Sequence, residues 1–504
     1  LGELDAPTPL GRPIICRPIM HPDPRARNFG RVHEIVPSDT FAEEIVWRAV
    51  HELLDRSHPG GAAAPSVRII NLSVGDEAKP FQGTMSSWAR ILDWLSWKFN
   101  VLFLVSTGNI GGLPESIMPR TIERLSDDER QKLSTRAIAQ EINHRRILAP
   151  SDSINALTIG AAHCDASTAA QHGSGPVDIL PGQVWLSPIS RHGPGFKRSV
   201  KPDVLFPGGR QLYQDYGASY RAFPASRPPG TKSAAPSNDG SPQVAHSRGS
   251  SNATALATNA AGRILEHLLT IPGENNQSIG EEAFVPLTKA LLVHGACREP
   301  WIKALEENLG TERDSRQDIK EYSTRFMGYG LPDISRVLRC TSERATLLGF
   351  GRIARCQSES DTLHQFNLPL PSCLGESRLL RRLTITLAWI SPVTANRKGY
   401  RQAKLEVRTP NRIDIGVGPG ENHHLQIERG TLWHNIFEGK TARSFVDGSS
   451  LKLVIASRGI PDLDDIEIPY GLAVTFEVAE GVSLPIYQEI RDKIRLQTRE
   501  RQRV

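Results

Sequence analysis

No stretch of this sequence reaches the roughly 18 consecutive apolar residues that a membrane-crossing helix needs. Its longest apolar runs, such as Val101–Val105, have the length of a buried strand. Membrane spanning is therefore not expected. Cysteine is sparse and scattered, at positions 16, 164, 297, 340, 356 and 373, and no CxxC pair occurs. That argues against a zinc centre and against a disulfide framework, and no metal or other cofactor is expected. It fits a reducing compartment, and a cytoplasmic location is the expectation. No positively charged, apolar leader follows Leu1, so the start reads as a processed end or the edge of a fragment. No G-x-x-x-x-G-K-[ST] loop is present to cradle a nucleotide phosphate.

What is present suits an ordinary globular protein: 39% hydrophobic and 23% charged residues over 504 positions, enough for two to three domains. The net charge of +5 is mostly local. Residues 491–504 hold six Arg or Lys against Asp492 and Glu500, which reads as a solvated amphipathic helix rather than a nucleic-acid-binding tail.

Pattern along the chain divides it in two. Pro37–Leu54 reads as a helix, with Thr40 and Glu43 as a capping box and Phe41, Ile45, Ala49 and Leu53 as its apolar stripe. Val67–Leu72 reads as a strand, a helix is expected from near Ser86, and Val101–Val105 is a second strand. Strand, helix, strand at this spacing makes a βαβ unit and hence a parallel sheet. Ser126 and Glu129 cap a further helix, and Leu157–Ala161 is another buried strand. Arg221–Gly249 is dense in Pro, Ser and Gly and reads as a long surface loop. Beyond about residue 340 the apolar period becomes two, as in Leu383, Ile385, Leu387 and Trp389, or Leu472, Val474, Phe476 and Val478. Half-buried antiparallel strands in a β-sandwich are expected there.

The loop feeds into Gly249-Ser250-Ser251 and a helix whose first two turns carry only small residues. A serine at a helix N-terminus can cap it, help hold an anion, or act as a nucleophile beside unpaired backbone N–H groups. By itself the triplet reads as a cap. Four ordered segments change that: "VRIINLSVG" (67–75), "NVLFLVSTGN" (100–109), "RHGPGFKRSVKPDVLFPGG" (191–209) and "GSSNATALATNAAG" (249–262). In order and spacing they resemble the subtilisin-like serine proteases. "MGYGLPD" (327–333) and "LTITLAW" (383–389) add weaker likenesses.

The resemblance implies an α/β fold: a subtilisin-like parallel sheet flanked by helices, over residues 1–340. A C-terminal antiparallel β-sandwich (341–485) and a basic C-terminal helix (486–504) would follow. It implies a serine endopeptidase acting on protein or peptide substrates through an acyl-enzyme on Ser251. Asn109 would stand in the oxyanion hole. Ser73, Val74, Gly75, Ser106, Thr107, Gly108 and Ser250 would contact the substrate. No G-x-S-x-G surrounds Ser251, which disfavours an α/β-hydrolase.

The pattern is incomplete. Subtilases carry an Asp in an Asp-Ser/Thr-Gly turn and a His in a His-Gly-Thr motif, both before the oxyanion Asn. Asp39-Thr40 is followed by Phe41, and His172-Gly173, His192-Gly193 and His294-Gly295 all come after Asn109 without a following Thr. His246, five residues before Ser251, is the remaining nearby base. The expectation is an N-terminally incomplete protease. The alternative is an inactive relative that binds peptides without cutting them.

Overall fold

The computed structural model describes residues 14–23, 34–122, 124–165, 175–182, 186–217, 219–223, 228–235, 243–271, 279–309, 316–354, 362–394, 399–408, 416–422, 424–441, 449–459, 466–478, 482 and 484–501. The principal elements of the first part are α1 (Ala42–Leu54), β1 (Ile69–Leu72), β2 (Asp76–Pro80), α2 (Ser87–Phe99), β3 (Leu102–Ser106), α3 (Asp127–Gln140), β4 (Leu148–Ala149), β5 (Leu157–Ala162), β6 (Val204–Pro207), β7 (Thr231–Ala235), β8 (Gln243–Ser247), α4 (Ser250–Thr270) and α5 (Glu281–His294). The second part holds β9 (Arg344–Ala354), β10 (Thr362–Pro369), β11 (Arg381–Trp389), β12 (Ala403–Arg408), β13 (Leu432–Gly439), β14 (Ser450–Gly459), β15 (Glu467–Val478) and α6 (Ile486–Arg501).

Four parallel strands in the order β1-β3-β5-β6 form the central sheet. Successive side chains of a strand point to opposite faces, and β3 shows the consequence. Val101, Phe103 and Val105 join the core beneath α1 and α2, while Leu102 and Leu104 join the core beneath α4 and α5. Both faces are covered, which is why this strand is apolar without alternation. Ser86 caps α2 by accepting the Ala89 N–H, and Ser126 with Glu129 forms the reciprocal box at the start of α3.

The α1 start differs from the expectation. Its cap position is Phe41, with no side-chain hydrogen bond, and Phe41 is exposed. The Thr40 N–H is spent on a turn to Pro37 O, and its hydroxyl donates to Asp39. The buried stripe is accordingly Val46, Ala49, Val50 and Leu54. The loop expected over 221–249 is also partly regular: β7 and β8 form an antiparallel hairpin, with Lys232 opposite His246 and Thr231 opposite Ser247.

The "KPD" segment acts on the scaffold. Lys201 Nζ donates to Ala156 O at 3.0 Å and to Asp203 at 2.6 Å, and Asp203 accepts the Thr158 N–H at 2.7 Å. These buried bonds tie the approach to β6 onto β5.

Two antiparallel sheets make up the C-terminal region, in the orders β9-β15-β11-β13 and β10-β14-β12. The expectation of half-buried strands needs correction. Leu383, Ile385 and Leu387 are buried, as the alternation predicts, but so are Thr384, Thr386 and Ala388. The reason is α5, which lies on the other face. His294 at its end bonds Thr386 Oγ1 (2.8 Å) and Thr475 Oγ1 (2.6 Å). A Cβ at Gly471 would stand 2.5 Å from Leu287 N, so only glycine allows helix and strand this close.

From Ala283 to His294 every α5 residue is buried. Pro286 inside it leaves the Glu282 carbonyl without its helical donor, and Asn100 Nδ2 supplies one at 3.2 Å. Lys289 is enclosed between the two parts of the molecule. Its Nζ donates to Asn155 O (2.9 Å) and Thr431 Oγ1 (2.6 Å), and burial brings its pKa down to about 7. A single apolar cluster runs from Leu102 and Ile264 through α5 to Leu405 and Ile455.

Candidate active site

Ser251 lies in the first turn of α4, where the backbone N–H groups have no partner within the helix. Neither serine caps. The cap position belongs to Gly249, at φ +148°, whose N–H donates to Gly208 O at 2.8 Å. Few residues other than glycine adopt that φ. A Cβ there would also lie 3.0 Å from Asn109 Nδ2. Small residues follow because the helix buries this end: Ala253, Ala257 and Ala261 are fully covered.

Asn109 reaches this point from the end of β3. Its Oδ1 accepts the Ser250 N–H at 2.8 Å and the Ser250 hydroxyl at 3.0 Å. With the carbonyl end engaged, the free end of the amide is the Nδ2 donor. Arg191 Nε holds the Asn109 carbonyl at 2.9 Å, fixing the turn from behind. Ser251 Oγ donates to Ser73 O at 3.4 Å. Ser73 is anchored in turn: its hydroxyl donates to Asn71, whose Nδ2 donates to Thr258 on α4. Ser251, Ser250, Asn109 and Ser73 are thus brought together by the ends of β1 and β3 and the start of α4.

The other expected substrate residues line up differently. Val74 and Gly75 continue the chain from Ser73 and are partly exposed. Ser106 and Thr107 are buried, and Thr107 Oγ1 meets Ser190 Oγ at 3.3 Å. Both side chains are enclosed, so backbone is what that segment offers. Gly108, at φ +87°, makes the turn to Asn109. Ser250 is fully buried and committed to Asn109, a positioning contact.

Residues without a recognisable signal also build the site. Arg248 clamps the approach to Ser251, with Nε on Arg210 O (3.1 Å), Nη1 on Phe223 O (3.0 Å) and Nη2 on Pro229 O. Leu148 fills the space beside Gly75 and Gly108. Neither sits in a family-like segment. Only the arginine, immediately before Gly249, adjoins a motif.

Among the described residues no histidine hydrogen-bonds Ser251. His163 does pair with a carboxylate, its Nε2 lying 3.0 Å from Asp178 Oδ1. Its Nδ1 accepts the Gln211 N–H at 3.3 Å, so both ring nitrogens are committed. Burial works to raise the Asp178 pKa, but His163 and Arg210 outweigh it and hold the carboxyl well below the usual range. His192 is buried, and burial followed by the nearby Arg145 and Arg191 brings its pKa down to about 3. His246 is turned away: Ser247 donates its hydroxyl to Asn252 on α4, and the preceding strand residue points to the opposite face of the hairpin. His172 lies outside the described residues. No group of three His, Cys, Asp or Glu side chains able to hold a metal ion occurs among the described residues. No described helix is long and apolar enough to cross a membrane.

A parallel sheet covered by helices, with a serine at a helix start beside an asparagine at a strand end, is the arrangement of a subtilisin-like hydrolase. Residues 42–330 match the subtilase family of peptidases, and the chain belongs to that family. It is 26% identical over 383 residues to the uncharacterized protein y4bN of Sinorhizobium fredii (strain NBRC 101917 / NGR234), covering 76% of each chain. Among solved structures it resembles the MycP3 protease from the type VII (ESX-3) secretion system, at 14% identity and a TM-score of 0.27, over 59% of this chain and 58% of that one. It also resembles the S41 psychrophilic protease, at 14% identity and a TM-score of 0.26, over 50% of this chain and 56% of that one.

Proposed function

We propose that the protein is a serine endopeptidase that hydrolyses peptide bonds through an acyl-enzyme on Ser251. Ser251 Oγ attacks the carbonyl carbon and loses its proton to a general base, and the carbonyl oxygen becomes an oxyanion. The Ser251 backbone N–H and Asn109 Nδ2 stabilise that charge. The base returns the proton to the leaving amine, and water then cleaves the ester by the same steps in reverse order. Ser73, Val74 and Gly75 offer backbone along which an extended peptide aligns. The observation that carries this reading is the double hydrogen bond from Ser250 to Asn109 Oδ1, which sets the amide donor beside the Ser251 turn.

A second reading has its own support. With no histidine on Ser251 among the described residues, the cleft would serve to bind peptides without cutting them. Fluorophosphonate labelling separates the two. Under the protease reading, adding a segment that carries the Asp-Ser/Thr-Gly and His-Gly-Thr motifs makes Ser251 label rapidly, and Ser251→Ala abolishes the signal. Labelling that stays slow with that segment present favours the binding scaffold.

A further inference from the structure

We infer that Leu148 sets the specificity of the Ser251 cleft, admitting only glycine, alanine or a similarly small residue on the acyl side of the scissile bond. The inference rests on the serine-protease reading above.

The cleft has two backbone walls. One runs through Ser73, Val74 and Gly75, and Ser73 O lies 3.4 Å from Ser251 Oγ. The other runs through Thr107 and Gly108 to Asn109, whose amide meets Ser250 at 2.8 Å. The gap between Gly75 and Gly108 therefore opens beside Ser251. A substrate carbonyl attacked by Ser251, with its oxygen toward Asn109, directs the side chain of that same residue into the gap.

The gap is already filled. A Cβ at Gly75 would lie 3.2 Å from Leu148 Cβ, and a Cβ at Gly108 would lie 2.6 Å from Leu148 Cδ1. One leucine side chain touches both walls and is only 2% exposed. It is also held in place. Its N–H donates to Thr107 O at 3.1 Å, its carbonyl accepts the Ser151 N–H at 2.8 Å, and the adjoining Ala149 pairs with Asp76 on β2. Both walls grip the backbone that carries the plug, so a larger substrate side chain cannot push it aside without breaking β4 from its neighbours. The two glycines leave room for Leu148, and Leu148 takes the room a large side chain needs.

The test is calorimetric binding of tetrapeptides with a free C-terminal carboxylate, ending in Gly, Ala, Val, Leu or Phe, to the full chain and to Leu148→Ala and Leu148→Gly. The Ala-ended peptide should bind the unmodified protein roughly 10- to 200-fold more tightly than the Phe-ended one, the range set by size mismatch in an apolar pocket. Both variants should erase or reverse that ratio. Circular dichroism checks that they fold, and the size series on the unmodified protein decides the matter if they do not. Equal binding across the series, or a ratio unchanged in folded variants, overturns the role of Leu148 alone. No binding of any peptide by any of the three proteins overturns the protease reading along with it.

Discussion

A serine hydroxyl is a weak nucleophile at neutral pH until a neighbouring base takes its proton. Ser251 has the Asn109 amide held beside its turn, but no described histidine hydrogen-bonds its hydroxyl. The 504-residue chain should therefore cleave peptides slowly, since the oxyanion hole and binding alone give only about 10³–10⁴-fold over water. A fluorogenic peptide assay checks this, and a normal protease rate would point to an overlooked base, with His246→Ala the first variant to measure. Once the base is supplied, Asn109→Ala should lower kcat by roughly 10²–10³-fold with little change in KM, the signature of a contact made in the transition state. An equal loss in KM would mark Asn109 as a ground-state contact. At this scale Ser251 and Asn109 are legible in the sequence because each belongs to an ordered, family-like segment. Leu148 and Arg248 are not, because a leucine in a short strand and an arginine binding carbonyls carry no pattern until the chain is folded.

The elements show where local pattern governs and where packing overrides it. The strands of the parallel sheet follow the apolar periodicity to within two residues. Two elements depart from local pattern for identifiable reasons. Thr40 has a capping residue's chemistry, but its N–H is taken by the turn to Pro37 and its hydroxyl by Asp39, so the cap position falls to Phe41 and α1 begins at Ala42. The hairpin of β7 and β8 is short and rich in Ser and Ala, so it has no apolar alternation to read. Glycines at element junctions give the sharper tests. Gly249→Ala forces a side chain to φ +148° and against Asn109, so the α4 start and the Asn109 amide cannot keep their places together. Activity should fall far more than melting temperature, and the opposite pattern would make Gly249 a purely structural residue. Gly471→Ala inserts a methyl 2.5 Å from a helix backbone atom. It should destabilise by about 1–3 kcal/mol or more, as overpacking does, measurable by urea unfolding. An unchanged midpoint would mean that α5 is free to move off the sheet.

Across the whole molecule, burial of neutral histidines sets the response to acid. His192, His294 and His434 all have folded pKa values brought down to about 3, by burial first, against an ordinary value of 6.5. The unfolded chain binds these protons more readily, so stability rises with pH through this range. The histidine contribution should fall steadily as pH drops from about 6.5 toward 3, while Lys289, its pKa brought down to about 7 by burial, keeps stability rising with pH above 7; melting curves between pH 9 and 4 can follow both limbs. His192 is fully buried and stands edge-on to Phe326 at 4.9 Å, so phenylalanine removes the titrating group while overpacking the site. His192→Phe should therefore lower the melting temperature somewhat at pH 8 and flatten the acid limb. A limb just as steep would exclude His192 as a contributor.

The helix enclosed between the parallel sheet and the β-sandwich gives the protein a mechanical property of its own. A strut clasped on every side passes displacement from one end of a structure to the other. Strands more than a hundred residues downstream of Ser251 bear on α5 through Gly471 and Thr475, and α5 packs against α4, which carries the serine. Whatever grips or strains the distal strands is therefore felt at Ser251, and the two parts should melt as one body.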